Sequence, residues 1–130
     1  MEVTARAIII ENDKLMVFYR ERVVNNERIC YFSLPGGHVE KEEMARDTVV
    51  RELKEELNID ILVDYEVGSI NVDNKLERYF VCHRVSGEPI LGGEELLRNS
   101  SDNYYEFRYL PIDELDNSGI RAYELIKKVL

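Results

Sequence analysis

Pro35-Gly36-Gly37 is the point in this sequence that most restricts the fold. Proline removes a backbone donor, and glycine opens backbone conformations closed to other residues, so strand and helix both stop there. The residues before this break read as strands, and those after it read as a helix. Thr4–Ile10 and Leu15–Arg20 are β-branched or apolar runs joined by the Glu11-Asn12-Asp13-Lys14 turn, which predicts a hairpin. Glu21–Arg28 reads as a polar loop and Ile29–Leu34 as a third strand. From Glu42 to Leu57, Met44, Ala45, Val49, Val50, Leu53 and Leu57 recur at intervals of three and four, which predicts a helix with one apolar face. Asn58 comes next, and asparagine is the commonest substitute for glycine in the left-handed conformation that ends helices.

Beyond the helix, Ile59–Ile70 and Leu76–Val85 read as strands paired through the Asp73-Asn74-Lys75 turn. Ser86–Asn103 is long, polar and glycine-containing, and loops of that length are often functional. Tyr105–Leu110 reads as a strand and Pro111 as the start of a short helical turn. Ser118 or Gly119 precedes a last amphipathic helix, Ile120–Leu130. Strands dominate with two helices, so the expected class is mixed α/β. The length of 130 residues fits one domain over 1–130.

The net charge of −9 disfavours broad binding to nucleic acid backbones, which rewards basic patches. No apolar run approaches the roughly 18–20 residues of a membrane-spanning helix. Cys30 and Cys82 stand 52 positions apart without zinc-ligand spacing, so both are expected to be buried free thiols in a cytoplasmic protein.

Glu52, Glu55 and Glu56 stand at i, i+3 and i+4 and share about 100° of one helix face. Three like charges that close destabilise an isolated helix. A hard divalent cation reverses the sign of that energy, since Mg²⁺ takes carboxylate oxygens and bridges to substrate phosphates. A solvated acidic face is the bland alternative in a chain with 18 glutamates. Val49 and Leu53 lie beside the carboxylate arc, which puts the acidic face at the edge of the packed one, where a cleft can form.

The surrounding spacing separates the two readings. Gly37, Glu43, Arg51, Glu52, Leu53, Glu55, Glu56 and Ile59 fall in the order and spacing of the box of the Nudix (MutT-like) hydrolases, which this sequence resembles. The departure is Asn58, where that box has glycine. The likeness extends to the strands before the box and to Phe107–Leu115 after it. It implies an α/β/α fold, a mixed β-sheet between helices, and hydrolysis of a nucleoside diphosphate linked to another group, X, with Mg²⁺ or Mn²⁺. Glu52, Glu55 and Glu56 match the family's metal ligands, joined by the backbone carbonyl of Gly36. Glu52, with Glu55 as the alternative, matches the general base. Arg51 matches the arginine that orients these carboxylates, and Glu43 a structural partner. Glu106 resembles a further ligand, with Glu94 and Glu95 as rivals. The Gly36-Gly37 turn lets the backbone approach a metal or phosphate closely.

Arg6, Arg20, Arg22 and Arg28 are candidates for a phosphate contact. Tyr104, Tyr105 and Tyr109 are candidates for base stacking, with Tyr105 and Tyr109 on one face of their strand. His38 is more readily a loop contact than an acid, and His83 a structural residue. The chain has no tryptophan, Asn74 stands where the ADP-ribose branch often has proline, and no proline occurs between Pro35 and Pro89. The missing tryptophan sets the chain apart from the family's NADH branch, which carries a Ser-Gln-Pro-Trp run after the box, and the missing proline from its ADP-ribose branch, so both absences favour a nucleoside triphosphate or modified nucleotide. The expected partner is a small-molecule nucleotide, with neither membrane nor long nucleic acid; many members of the family dimerise. A nucleotide-sensing module without catalysis is the alternative from a different class. Lost box carboxylates would be its mark, and none is lost.

Overall fold

The computed structural model describes residues 1–90 and 103–130. The chain forms β1 (Glu2–Ile8), β2 (Ile10–Glu11), β3 (Lys14–Val24), β4 (Glu27–Ser33), β5 (Gly36–His38), α1 (Ala45–Leu57), β6 (Asp60–Val72), β7 (Lys75–Ser86), β8 (Asn103–Pro111), a 3₁₀ turn (Ile112–Asn117) and α2 (Tyr123–Lys127). One sheet has the order β5-β1-β7-β6, with β1 and β7 parallel and the other pairs antiparallel. In the other, β3 carries β2 and β4 and also pairs with β8, all antiparallel.

Three hairpins turn on two residues, Asn12-Asp13, Asn25-Asn26 and Asp73-Asn74, and all six have positive φ. A type I′ turn requires that conformation, and Asn and Asp tolerate it best after glycine. The middle hairpin corrects the expectation of a loop over Glu21–Arg28. Val23 pairs with Arg28 and Val24 with Glu27, so the polar stretch forms the ends of two strands around an Asn-Asn turn. The first strand is also interrupted. Ile9 is fully buried between β1 and β2, where the chain passes from one sheet to the other, and its carbonyl accepts Met16 N–H at 3.0 Å.

Alternation along the strands builds two cores. Ala5, Ala7, Met16, Phe18, Phe80 and Cys82 pack with Ala45, Val49, Leu53 and Leu57 of α1. Their neighbours Ile8, Leu15, Val17 and Tyr79 pack with Leu115, Ile120, Ala122 and Ile126 from the C-terminal segment. The sheets therefore lie between α1 and the C-terminal helical segment, as the α/β/α reading expects.

Helix α1 starts at Ala45 and not at Glu42, because Glu42 takes a left-handed φ of 68°. Met44 and Val50 are exposed, which narrows the expected apolar face to Ala45, Val49, Leu53 and Leu57. Asn58 ends the helix at φ 57°, ψ 37°, the expected left-handed cap. The last helix is shorter than Ile120–Leu130, covering Tyr123–Lys127 with turns on either side. Cys82 is buried and free as expected. Cys30 is free but exposed, because the outer part of β4 stands at a sheet edge with Glu27–Cys30 open to solvent. Most of the Ser86–Asn103 stretch, with Glu94 and Glu95, lies outside the described residues. Among the described residues no helix is long and apolar enough to cross a membrane.

Candidate active site

Strand β5 is short, and its three residues serve two different surroundings. Gly36 sits at φ 148°, and a Cβ there would lie 2.0 Å from the Ala5 carbonyl oxygen, so only glycine allows β5 to pair with β1. Its N–H donates to Oε1 of Glu56 at 2.9 Å. A Cβ on Gly37 would lie 2.4 Å from the carboxyl carbon of Glu52. The two glycines thus let two carboxylates of α1 close onto the β5 backbone.

Arg51 ties the rest of this arrangement together. Its Nε and Nη2 donate to the two oxygens of Glu43 at 2.8 and 3.0 Å, a forked pair. Nη2 also donates to the His38 carbonyl at 3.3 Å. Nη1 donates to Glu52 at 3.0 Å and to Glu55 at 3.2 Å. Glu43 further accepts Thr48 Oγ1 at 2.7 Å and Glu40 N–H at 3.1 Å. The Arg51 hydrogen bonds hold the Glu43 carboxyl down at about 2, and the surrounding carboxylates push the Arg51 guanidinium up. Glu43 is therefore anionic throughout the ordinary pH range and braces the loop against the helix.

The three glutamates of the arc differ in exposure. Glu56 is 4% exposed, Glu52 is largely covered, and Glu55 is open to solvent. The arc thus lies at the edge of the packed face, and Glu52 and Glu55 converge on one positive point, Nη1 of Arg51. Among the described residues no three His, Cys, Asp or Glu side chains close into a ready metal cage. Glu106 is not gathered with two of these carboxylates into such a group. It instead accepts Tyr104 Oη at 2.9 Å and Arg108 Nε at 3.1 Å. All the carboxylates of the arc offer hard oxygen donors, the chemistry Mg²⁺ or Mn²⁺ takes.

The other side of β5 opens on a cleft of about 530 Å³. Arg6, Arg20, Arg22, Lys75 and Arg121 line it against two acidic residues, Asp73 and Glu77, with Tyr31 and His38 also in its wall. The cleft is cationic in a chain of net charge −9. Two of the expected substrate contacts, Arg6 and Arg20, are in it; Arg6 also donates to the Leu34 carbonyl at 3.2 Å. Tyr105 is buried, and its ring lies 4.3 Å from the Arg20 guanidinium, which also donates to the Tyr105 hydroxyl. Of the three rings that sequence alone offered for base stacking, Tyr105 thus packs on an arginine, while Tyr104 bonds Glu106 and Tyr109 packs edge-on against Phe107. Tyr31 on the opposite flank, 5.3 Å from the same guanidinium, lines the cleft instead. Sequence reasoning missed Tyr31, Lys75 and Arg121, which no local pattern marks. His83 pairs with Asp64 at 2.9 Å on an exposed strand position, as its structural reading expects.

Comparison with known proteins supports the same assignment. The NUDIX domain matches residues 1–129. An ADP-ribose pyrophosphatase from Methanocaldococcus jannaschii is 29% identical over 92% of this chain and 68% of its own length. A MutT NUDIX hydrolase from Burkholderia pseudomallei superposes with a TM-score of 0.76 at 21% identity, covering 99% of this chain and 98% of its own. An ADP-ribose pyrophosphatase from Streptococcus suis superposes with a TM-score of 0.65 at 21% identity, over 97% and 87% of the two chains. With the box residues at their spacing and the family domain matched over nearly the whole chain, this protein belongs to the NUDIX family.

Proposed function

We propose that the chain hydrolyses the pyrophosphate link of a nucleoside diphosphate derivative at the carboxylate arc of α1, with the substrate lying in the cationic cleft beyond β5. The observation that carries this reading is the convergence of Glu52 and Glu55 on Arg51 Nη1, beside a Gly37 that leaves room for nothing larger than hydrogen. Glu52, Glu55 and Glu56, with the Gly36 carbonyl, would hold a divalent cation, Mg²⁺ or Mn²⁺. When bound, such an ion neutralises phosphate oxygens and lowers the pKa of its water. Glu106 is the further ligand in this reading if a substrate draws it away from Arg108.

The protein's own groups supply the remainder. Water attacks phosphorus, the bond to the bridging oxygen breaks, and the proton of the water passes to Glu52, or to Glu55 as the alternative base. Arg51 orients both carboxylates, and Glu43 holds Arg51 in register. Arg6 and Arg20 bind the anionic substrate in the cleft, and Gly37 leaves the space that the Glu52 carboxylate fills against the β5 backbone. Tyr105 acts through Arg20. Asn58 ends the helix so that Ile59 turns back into the core.

Two substrate classes fit. The missing tryptophan and the missing proline near Asn74 favour a nucleoside triphosphate or modified nucleotide. The Methanocaldococcus jannaschii relative favours ADP-ribose. The test is product release with Mg²⁺ or Mn²⁺ across canonical and oxidised nucleoside triphosphates, ADP-ribose, a dinucleoside polyphosphate and a nucleotide sugar. Glu56→Gln keeps an acceptor for Gly36 N–H but loses the charge. It is expected to cut turnover about a thousandfold with the fold retained, the scale of losing one group that stabilises charge in a transition state. Full activity in that variant would sink the assignment. Nucleotide binding without turnover of any compound would point to the sensing module.

A further inference from the structure

Glu77 is a carboxylate 7% exposed in the cleft wall. It stands on β7 opposite Thr4, in the parallel pairing of β7 with β1. Tyr79 Oη donates to its Oε1 at 2.6 Å. Arg121 Nη1 lies 3.2 and 3.3 Å from its two oxygens, and Arg6 Nε lies 4.0 Å from Oε2. Burial works against its charge, and the tyrosine and two arginines outweigh that cost, holding the group below the usual carboxylate range. Stability alone does not ask for such a group, since a packed apolar side chain of similar size serves as well or better. A fixed carboxylate does something an apolar residue cannot: it holds two guanidinium groups in one place before any ligand arrives. Arginine has five N–H donors, and Arg121 uses one nitrogen on Glu77 while the side chain stays mostly exposed in the cleft. Arg121 reaches this place from a segment far along the chain, after a turn at Gly119 with φ 69°.

We infer that Glu77 is a positioning residue that presets Arg6 and Arg121 as a paired receptor for the phosphate-bearing part of the substrate. The inference rests on the cleft being the substrate site. Holding both arginines in advance lowers the side-chain entropy lost on binding. Among the described residues, five cationic ones against two acidic ones around the cleft leave the field favourable to an anion even with Glu77 charged.

The test is calorimetric titration of ADP, with EDTA present, into wild type, Arg121→Ala, Glu77→Gln and the double variant, with thermal unfolding recorded for each. Arg121→Ala is expected to weaken ADP about tenfold, the scale of a hydrogen bond to a charged group. Glu77→Gln is expected to weaken it severalfold, and the double variant by less than the product of the two. A purely electrostatic wall carboxylate predicts the opposite sign, because removing its negative charge would tighten an anion. Unchanged or tighter binding in Glu77→Gln, or full multiplication in the double variant, overturns the inference. Should Glu77→Gln unfold, Tyr79→Phe removes one restraint on Glu77 without altering charge, and an unchanged ADP affinity there overturns it equally. Failure of wild type to bind ADP overturns it too. Turnover in the substrate panel would in that case leave the hydrolase reading intact, so the two can fail separately.

Discussion

The carboxylate arc and the cationic cleft meet at one strand, β5, yet they are built in opposite ways. The arc comes from one continuous stretch, Gly36 to Glu56, folded back so that helix side chains touch the backbone that precedes them. The cleft comes from β1, β3, β4, β7 and the segment after Gly119, and of its arginines Arg6, Arg20, Arg22 and Arg121 only Arg20 and Arg22, on one strand, are near in sequence. Both contain a paired hub of opposite sign. Arg51 is a cation ringed by carboxylates in the first, and Glu77 is a carboxylate between arginines in the second. In each, a buried or half-buried ion of the minority sign holds the majority charges apart and in place. In the proposed function, the majority charges are then directed at ligands of the other sign: a cation at the arc, an anion in the cleft.

If the two regions divide the work as proposed, variants in each should move different kinetic constants. Gly37→Ala puts a methyl group where the Glu52 carboxyl sits, so Glu52 must move while the β5 backbone need not. Its kcat is expected to fall about a hundredfold, the cost of displacing a reacting group by around an ångström. Arg20→Ala should instead raise KM about tenfold with kcat within a factor of a few, since it removes a charged contact to substrate. Steady-state kinetics on both variants decide this, and equal effects on both constants in both variants would merge the two regions into one.

Acid should strike the arc through its brace. Glu43 titrates at about 2 in the folded chain against an ordinary 4.5. A depressed carboxyl contributes stability that is complete above its unfolded pKa and is lost as pH falls towards the folded one. Unfolding midpoints in urea are therefore expected to drop between about pH 4.5 and 2. Glu43→Gln should start lower at neutral pH and show a shallower drop over the same window. An identical acid slope in both proteins would remove Glu43 from its bracing role.

The smallest effect belongs to the single departure from the box. Asn58 already holds the left-handed conformation, with its N–H on the Lys54 carbonyl at 3.0 Å. Asn58→Gly should change stability by less than about 1 kcal/mol and leave kcat unaltered. A larger change in melting temperature would mean that the asparagine side chain does more than tolerate its φ.

Legibility tracks the range of the interactions. The three hairpin turns carry Asn and Asp because only such residues enter the positive φ of a type I′ turn cheaply, yet Asn25-Asn26 is hidden inside a run of charges. Periodicity starts α1 three residues too early, because Glu42 and Met44 fit a helical pattern. The chain instead uses Glu42 as a left-handed corner and Glu43 as the Arg51 brace. Alternation puts Tyr105, Phe107 and Tyr109 on one face of β8, and the rings of Phe107 and Tyr109 meet there edge to face at 5.1 Å. It cannot show that Tyr105 meets Arg20, which lies opposite on β3 in a register set by the sheet.

By itself, then, the sequence determined the arc: the i, i+3, i+4 glutamates, the arginine beside them, the glycines and the asparagine cap all act within 24 residues, from Gly36 to Ile59. Over that distance, helix geometry and backbone sterics leave few other outcomes. The tertiary structure decided the cleft. Parallel pairing of β1 with β7 brings Arg6 beside Glu77, and packing of the C-terminal segment on the second core delivers Arg121 to the same carboxylate. Neither meeting has a local signal, because the energy that enforces it is burial of apolar side chains elsewhere on the same strands.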